Sequence, residues 1–335
     1  TGAVYSYREL ARFCGKQSDN TAAAILEKIL GDEAIEKTIS DLDAKNQAMK
    51  NLFTVPLKNG PTRNLSNSSS SHERDPQWSP DGKYIAYISD ASGEDEIYMT
   101  DASGGSKPIQ LTSNGDNYKY GLEWSPDSKK VAYSDRKQNL YFVDIQSRDN
   151  VKVLYSDHGE LNDYSWSPDS KYLSYTKQVK KANSVIQVYS LSERKNYTIT
   201  ESWFDSYSPE FSADGKYLFF VSQRTYSPSY NNVEWNYAYF DLAKIYFVTL
   251  RNDVKNIFEL KSDEVAVKEE PSGEKKDESK DKKKEEPKSE MAAIDFNGIS
   301  QRLGEIPTSA GNYFGLRAVD KKLYSSAVPL SSAAP

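Results

Sequence analysis

His72 and His158 are the only imidazoles in 335 residues. They are the side chains that could serve a serine or cysteine nucleophile as general base, a role that also requires an orienting acid. Each has a carboxylate close in sequence, Glu73 after His72 and Asp157 before His158. In polar loops such neighbours arise without any catalytic arrangement. The chain holds no Gly-x-Ser-x-Gly elbow, phosphate-cradling glycine loop, His-Glu-x-x-His pair or calcium-loop spacing. Cys14 is the single cysteine, which excludes an intramolecular disulfide and a cysteine-based metal site. The residues therefore predict no catalytic, cofactor-binding or metal site.

Composition narrows the partners. A formal charge of −6 and a pI near 5.3 argue against a surface that tracks phosphates, so no nucleic-acid partner is predicted. No apolar run reaches the roughly 20 residues that span a bilayer, and none is predicted to enter a membrane. With 37% apolar and 12% aromatic residues the chain can bury a sizeable core, one large domain with appendages. It begins without Met and stops at Pro335 just past a strand-like segment, and it reads as a fragment. Its first residues carry no secretory signature.

The elements that would position any functional side chain are strands set by a repeat. Trp78-Ser79-Pro80-Asp81 recurs as Trp124-Ser125-Pro126-Asp127 and Trp166-Ser167-Pro168-Asp169, and a degenerate copy stands at Phe211-Ser212-Ala213-Asp214. Successive copies are 46, 42 and 45 residues apart, the period of a β-propeller blade. Within one repeat, short Tyr/Val/Ile-rich runs are divided by turns: Asp75–Trp78, Lys83–Ser89, Glu96–Thr100 and Pro108–Thr112. Tyr84, Ala86 and Ile88 share one face. Four strands per repeat make one blade. In the turn, Pro80 pre-sets φ, Asp81 bonds the backbone ahead of it, and Gly82 and Gly215 accept positive φ. Trp78, Trp124 and Trp166 are expected to wedge between adjacent sheets, so that Trp78→Ala costs about 3–5 kcal/mol if Trp78 is buried.

Other stretches depart from this texture. Residues 1–51 carry Ile25, Ile29, Leu30, Ile35, Ile39 and Leu42 at three- and four-residue steps, predicting a short helical appendage. Within it, Tyr5 to Arg12 resembles the helical DNA-binding segment of alkyltransferase-like proteins, with no Pro-Cys-His motif following. An aromatic insertion, Tyr226 to Tyr239, precedes a strand at Ala243 to Leu250. Residues 261–290 are nearly all Lys, Glu, Asp, Ser and Pro and predict a disordered loop. Met291–Phe296, Gly298–Ile306 and Leu316–Tyr324 read as strands again, which places that loop inside the propeller at 52–328.

The wording of several segments is specific. Val55 to Leu65, then His72-Glu73-Arg74-Asp75-Pro76-Gln77-Trp78, Phe240 to Tyr246, Ile294 to Arg302, Ala310 to Tyr313 and Leu316 to Val319 resemble the second propeller of bacterial tricorn-protease homologues. The resemblance implies an all-β, seven-bladed propeller, of which about five blade-like units are present and which is left incomplete. It implies a non-catalytic portion of a large serine peptidase, guiding peptides to or from a core that lies beyond this chain. The implied partners are peptides, the catalytic and PDZ-like domains of the same parent chain, and a further copy in a homo-oligomer. It implies a cytoplasmic location, with a periplasmic one left open by the missing N-terminus. The Trp-Ser-Pro-Asp turns are shared with Tol-system propellers, and the alternative is a protein-binding module of that type in the bacterial envelope. Arg74, Tyr118, Tyr120, Asp163 and Tyr164, which precede the repeated turns, are the peptide-path candidates.

Overall fold

A computed structural model describes residues 52–328 apart from 55–62, 67, 69–70, 114, 160, 162, 180–182, 227, 231–236, 240 and 259–290. The helical appendage expected at 1–51 and the charged loop expected at 261–290 lie outside the described residues. The chain divides into two compact units, 1–209 and 210–335.

The first unit opens with a two-stranded pair, β1 (Phe53–Thr54) and β2 (Arg63–Asn64). Three antiparallel four-stranded meanders follow: β3 (Glu73–Trp78), β4 (Tyr84–Ser89), β5 (Glu96–Asp101) and β6 (Ile109–Gln110); β7 (Lys119–Trp124), β8 (Lys130–Asp135), β9 (Asn139–Asp144) and β10 (Asn150–Tyr155); β11 (Tyr164–Trp166), β12 (Tyr172–Gln178), β13 (Ser184–Ser190) and β14 (Lys195–Thr198). Sheets rather than helices form because each run alternates its side chains between two apolar neighbours, a period of two. Ala86 and Ile88 pack with Leu122, Trp124, Val131 and Tyr133 of the second sheet, and Tyr84 joins them on that face. Ile85 and Tyr87 face the other way, onto Leu52 and Leu65. Ala132 and Phe142 of the second sheet meet Trp166, Leu173 and Tyr175 of the third.

The boundary at 209/210 falls inside β15 (Ser206–Phe211). β15 heads a fourth sheet with β16 (Tyr217–Ser222), β19 (Lys244–Thr249) and β20 (Leu303–Glu305). The aromatic insertion supplies a separate hairpin, β17 (Pro228–Tyr230) with β18 (Tyr237–Tyr239). A final hairpin pairs β21 (Asn312–Val319) with β22 (Lys322–Val328). Among the described residues, four four-stranded sheets and this hairpin stand where about five blade-like units were expected.

Four sequence readings need correction. Met291–Phe296 forms no strand, because the carbonyls of Asp295 and Asn297 accept from the Arg302 guanidinium rather than from a neighbouring strand. Gly298–Ile306 is a 3-10 turn at Ile299–Arg302 leading into β20, and Leu316–Tyr324 bends at Asp320, with φ of 54°, from β21 into β22. Trp78 is not wedged between sheets: it is 51% exposed, whereas Trp124 and Trp166 are 3% and 5% exposed. The reason is geometric. Trp124 and Trp166 each pack on the sheet before their own, and among the described residues no four-stranded sheet precedes the first.

The repeated turn works as its residues suggest, with one addition. Serine, not only Asp, organises it: Ser79 Oγ donates to Asp81 Oδ1 at 2.7 Å and accepts from the Tyr84 amide at 2.9 Å. The same pair of bonds recurs at Ser125, Ser167 and Ser212. The fourth turn residue has positive φ in every copy, as Gly82, Ser128, Ser170 and Gly215. Where it is serine it also links sheets, since Ser128 Oγ accepts from the Asp81 amide and Ser170 Oγ from the Asp127 amide, at 3.1 and 3.0 Å.

These bonds set a pH dependence. The Ser79 hydroxyl holds the Asp81 carboxyl below the usual range. At Asp127 and Asp214 partial burial acts upward, and the hydroxyls of Ser125 and Ser212 with the backbone amides of Lys129 and Lys216 outweigh it and hold both low. A carboxyl depressed in the folded state stabilises fully above its unfolded pKa, about 3.9, and that contribution is lost as pH falls through the lower folded value. The urea midpoint is therefore expected to fall below about pH 4. Asp127→Asn and Asp214→Asn together are expected to flatten that slope; an unchanged slope sinks the assignment.

Candidate functional site

An antiparallel meander places the start of its first strand, its second-to-third turn and the connection to the next sheet along one edge. In the first unit that edge carries three of the five sequence-predicted residues, Arg74, Tyr118 and Tyr120, as a connected polar surface.

Arg74 organises its centre. Its guanidinium donates to the Lys119 carbonyl at 2.9 Å and pairs with Asp95, and it lies 5.8 Å from the Tyr118 ring centre and 6.0 Å from that of Tyr120. Arg136, from the β8–β9 turn, reaches the same Tyr118 ring at 5.8 Å, while its amide donates to the Tyr118 carbonyl at 2.9 Å. Two cations thus hold one half-exposed phenol by its π-face. Bulges aim these side chains: the register slips between Arg74 and Gln77 and between Tyr120 and Glu123, with positive φ at Asp75 and Gly121. Position 121 has to be glycine, because a Cβ there would stand 2.6 Å from the Tyr164 hydroxyl oxygen.

Beneath Arg74 sits a buried ion pair. Lys119 Nζ lies 3.2 Å from Glu96, both nearly sealed from solvent, and it also donates to the Asp95 carbonyl. Glu96 further accepts from the Thr112 hydroxyl and the Gly115 amide. Glu73 is buried too, with three serine hydroxyls, Ser66, Ser68 and Ser71, donating to it at 2.9, 3.0 and 2.8 Å. Both carboxylates are satisfied by neighbours, which is the condition for burying charge.

Asp163 and Tyr164 stand apart from this group. Asp163 accepts from the Ser208 amide and from the Thr176 hydroxyl, bracing backbone. Tyr164 is 5% exposed, its hydroxyl donates to the Gly121 carbonyl, and burial pushes it well above the usual phenol range. Tyr164 is therefore removed from the peptide-path candidates: it ties the third sheet to the second. The histidines are both exposed, and the His72 amide donates to Asp90 at 2.7 Å. Among the described residues no group of three or more His, Cys, Asp or Glu side chains could hold a metal ion.

Sequence reading missed the aromatics on the other connections of this edge. Tyr155 closes β10 at 51% exposure, with Lys152 Nζ 5.7 Å from its ring centre. Trp203 and Phe204, between β14 and β15, are 80% and 40% exposed. Their loop is pinned from the third sheet: Asn183 Nδ2 donates to the Ser202 carbonyl at 2.9 Å, and the Ser184 amide donates to Asp205 at 2.8 Å. The signal available in sequence was position, since each aromatic stands in or at the start of a connection from a fourth strand to the next first strand.

Repeated four-stranded meanders sealed by indoles, with polar and aromatic side chains gathered at one edge, define a β-propeller. Comparison with known proteins agrees. A family model for the tricorn protease second beta propeller domain matches residues 51–334, and the chain belongs to that family. A model for a beta-lactamase enzyme family matches residues 1–78, mostly outside the described residues. Tricorn protease homolog 1 of Streptomyces coelicolor is 28% identical over 276 residues, covering 79% of this chain and 24% of that protein. The tricorn protease of Thermoplasma volcanium is 24% identical over 118 residues, covering 33% of this chain and 12% of that protein. The crystal structure of the tricorn protease superposes with a TM-score of 0.66 at 19% identity, over 81% of this chain and 24% of that one, which shows the fold. The chain thus spans about a quarter or less of the length of these relatives. Among the described residues no helix is long and apolar enough to cross a membrane.

Proposed function

We propose that this propeller is the peptide-handling portion of a tricorn-like serine peptidase, holding or passing extended peptides at the aromatic edge of its first unit while hydrolysis takes place in a separate core of the parent chain. The observation that carries this reading is the set of exposed rings on successive connections, Tyr118, Tyr155 and Trp203 with Phe204. Rigidly mounted aromatics beside cations offer contact area and carboxylate recognition at low entropic cost, and they suit weak capture of varied sequences. Arg74 and Arg136 would meet acidic side chains or a peptide carboxylate, and Trp203 an apolar side chain. The catalytic and PDZ-like domains of the same polypeptide are its proposed partners, and a cytoplasmic location follows from the same reading.

Titration calorimetry of the 335-residue chain with unstructured, aromatic-containing peptides tests this. Binding in the micromolar to millimolar range is expected, weakened at least about fivefold in the Trp203→Ala, Tyr118→Ala double variant, each ring contributing about 0.5–1.5 kcal/mol. Equal affinity of the variant removes this edge from the path. Hydrolysis of those peptides, inhibited by a serine-directed reagent, contradicts the division of labour.

A further inference from the structure

The two seams inside the first unit share one construction. Trp124 Nε1 donates to the Gln77 carbonyl at 2.9 Å, and Trp166 Nε1 donates to the Glu123 carbonyl at 3.1 Å. Each indole shares its cluster with a small residue from the second strand of the preceding sheet, Ala86 for Trp124 and Ala132 for Trp166. The second unit repeats these pieces and inverts their sizes. β21 reads Phe314-Gly315-Leu316-Arg317-Ala318 where β7 reads Tyr120-Gly121-Leu122-Glu123-Trp124. Both strands bulge at this point, with positive φ at Gly121 and Gly315 and a buried leucine at Leu122 and Leu316. Ala318 therefore stands at the indole position. In β16, against which β21 packs, Phe219 takes the place of Ala86 and Ala132, buried with the rings of Tyr217 and Phe247 centred 6.1 and 6.2 Å away. The acceptor changes as well. Glu210 precedes Phe211 as Gln77 precedes Trp78, and its carboxylate accepts across this seam from Arg317 at 2.9 Å and from the Ala318 amide at 3.2 Å.

We infer that Glu210 and Arg317 form an ionic latch, and that the β21–β22 hairpin undocks from the fourth sheet as one element when the latch opens. An indole leaving a seam exposes apolar surface and abandons a cavity, both costly in water. A carboxylate and a guanidinium that part are each taken up by solvent, which offsets much of the lost attraction. The side chains of Glu210 and Arg317 are 11% and 23% exposed, so water reaches the pair before it opens. The rest of the hairpin adds little resistance. Leu316 is the buried residue of β21, and among the described side chains of β22 none is buried. Strands with few buried contacts open at low free energy. The hairpin is thus the part of the second unit built to move, whereas the indole seams of the first unit are built to stay shut. The inference is independent of peptide handling and stands or falls separately from it.

Amide hydrogen exchange, followed residue by residue in the 335-residue chain, tests this. Glu210→Gln keeps the shape of the side chain and removes its charge. It is expected to speed exchange throughout β21 and β22 at least about fivefold while leaving β16 and β19 within about twofold of the parent. Equal acceleration of all four strands overturns the inference, since the hairpin then opens only with its sheet. No acceleration in β21 and β22 overturns it too, because the carboxylate then holds nothing. The inverted sizes supply a second measurement. Phe219→Ala with Ala318→Trp rebuilds the pairing of the first unit and is expected to slow β21–β22 exchange at least about fivefold relative to the parent, whereas Ala318→Trp alone speeds it. A double variant that exchanges no more slowly than the parent shows that this seam is not the one that yields.

Discussion

Replacing Trp124 with alanine is expected to lower the unfolding free energy by about 3–5 kcal/mol, and Trp166→Ala by a similar amount, while Trp78→Ala in this chain costs under about 1 kcal/mol. The three residues share a motif, so propensity cannot separate them; burial does. Trp124 is 3% exposed, packs among Leu122, Val131 and Tyr133, and donates its indole N–H across the seam. Trp166 is 5% exposed and meets Phe142 edge-on at 5.9 Å. Truncation removes the apolar contact, leaves a cavity in the seam, and removes the indole's hydrogen bond to the carbonyl of Gln77 or Glu123. Urea unfolding of the three single variants measures the contrast. Equal losses at all three positions would show that the turn, not the seam, is what the indole stabilises.

The second large effect is expected at the ion pair under Arg74. Lys119→Met leaves Glu96 buried without its cation and is expected to cost about 3–5 kcal/mol. Glu96→Gln with Lys119→Met removes both charges, and it is expected to recover most of that loss because the desolvation penalty of each ion disappears with its charge. The pair is also what seats the edge. Lys119 Nζ holds the Asp95 carbonyl, Asp95 holds Arg74, and Arg74 holds the Lys119 carbonyl and the two phenols. In the single variant the peptide affinity proposed for this edge is therefore expected to fall along with stability. A double-mutant cycle read by urea unfolding decides the first point: a double variant as unstable as Lys119→Met alone excludes charge desolvation as the cause.

Much of the fold was legible in the residues because its rules are local. Serine, proline and Asp close a turn within a few residues, and alternation of apolar side chains needs only the strand itself. The strand expected at Ala243–Leu250 appears as Lys244–Thr249 for that reason. The segment after the charged insertion was misread because Arg302 decides it. Its guanidinium bonds the carbonyls of Thr249, Asp295 and Asn297, and no local pattern announces such a capture. The candidate site was half legible. Arg74, Tyr118 and Tyr120 could be placed ahead of the repeated turns, but their meeting depends on the second sheet lying against the first, and Trp203 carries no motif.

The sequence by itself determined the unit: a four-stranded meander of set period, its turn chemistry, and an inventory without an evident nucleophile and base. Tertiary structure alone decided which of three identical motifs are sealed, which phenol is exposed and which is buried, and which cations face a ring. The physical reason is that a turn is held by bonds within its own few residues, whereas burial belongs to a pair of surfaces. A tryptophan is a wedge only when a second sheet is there to receive it.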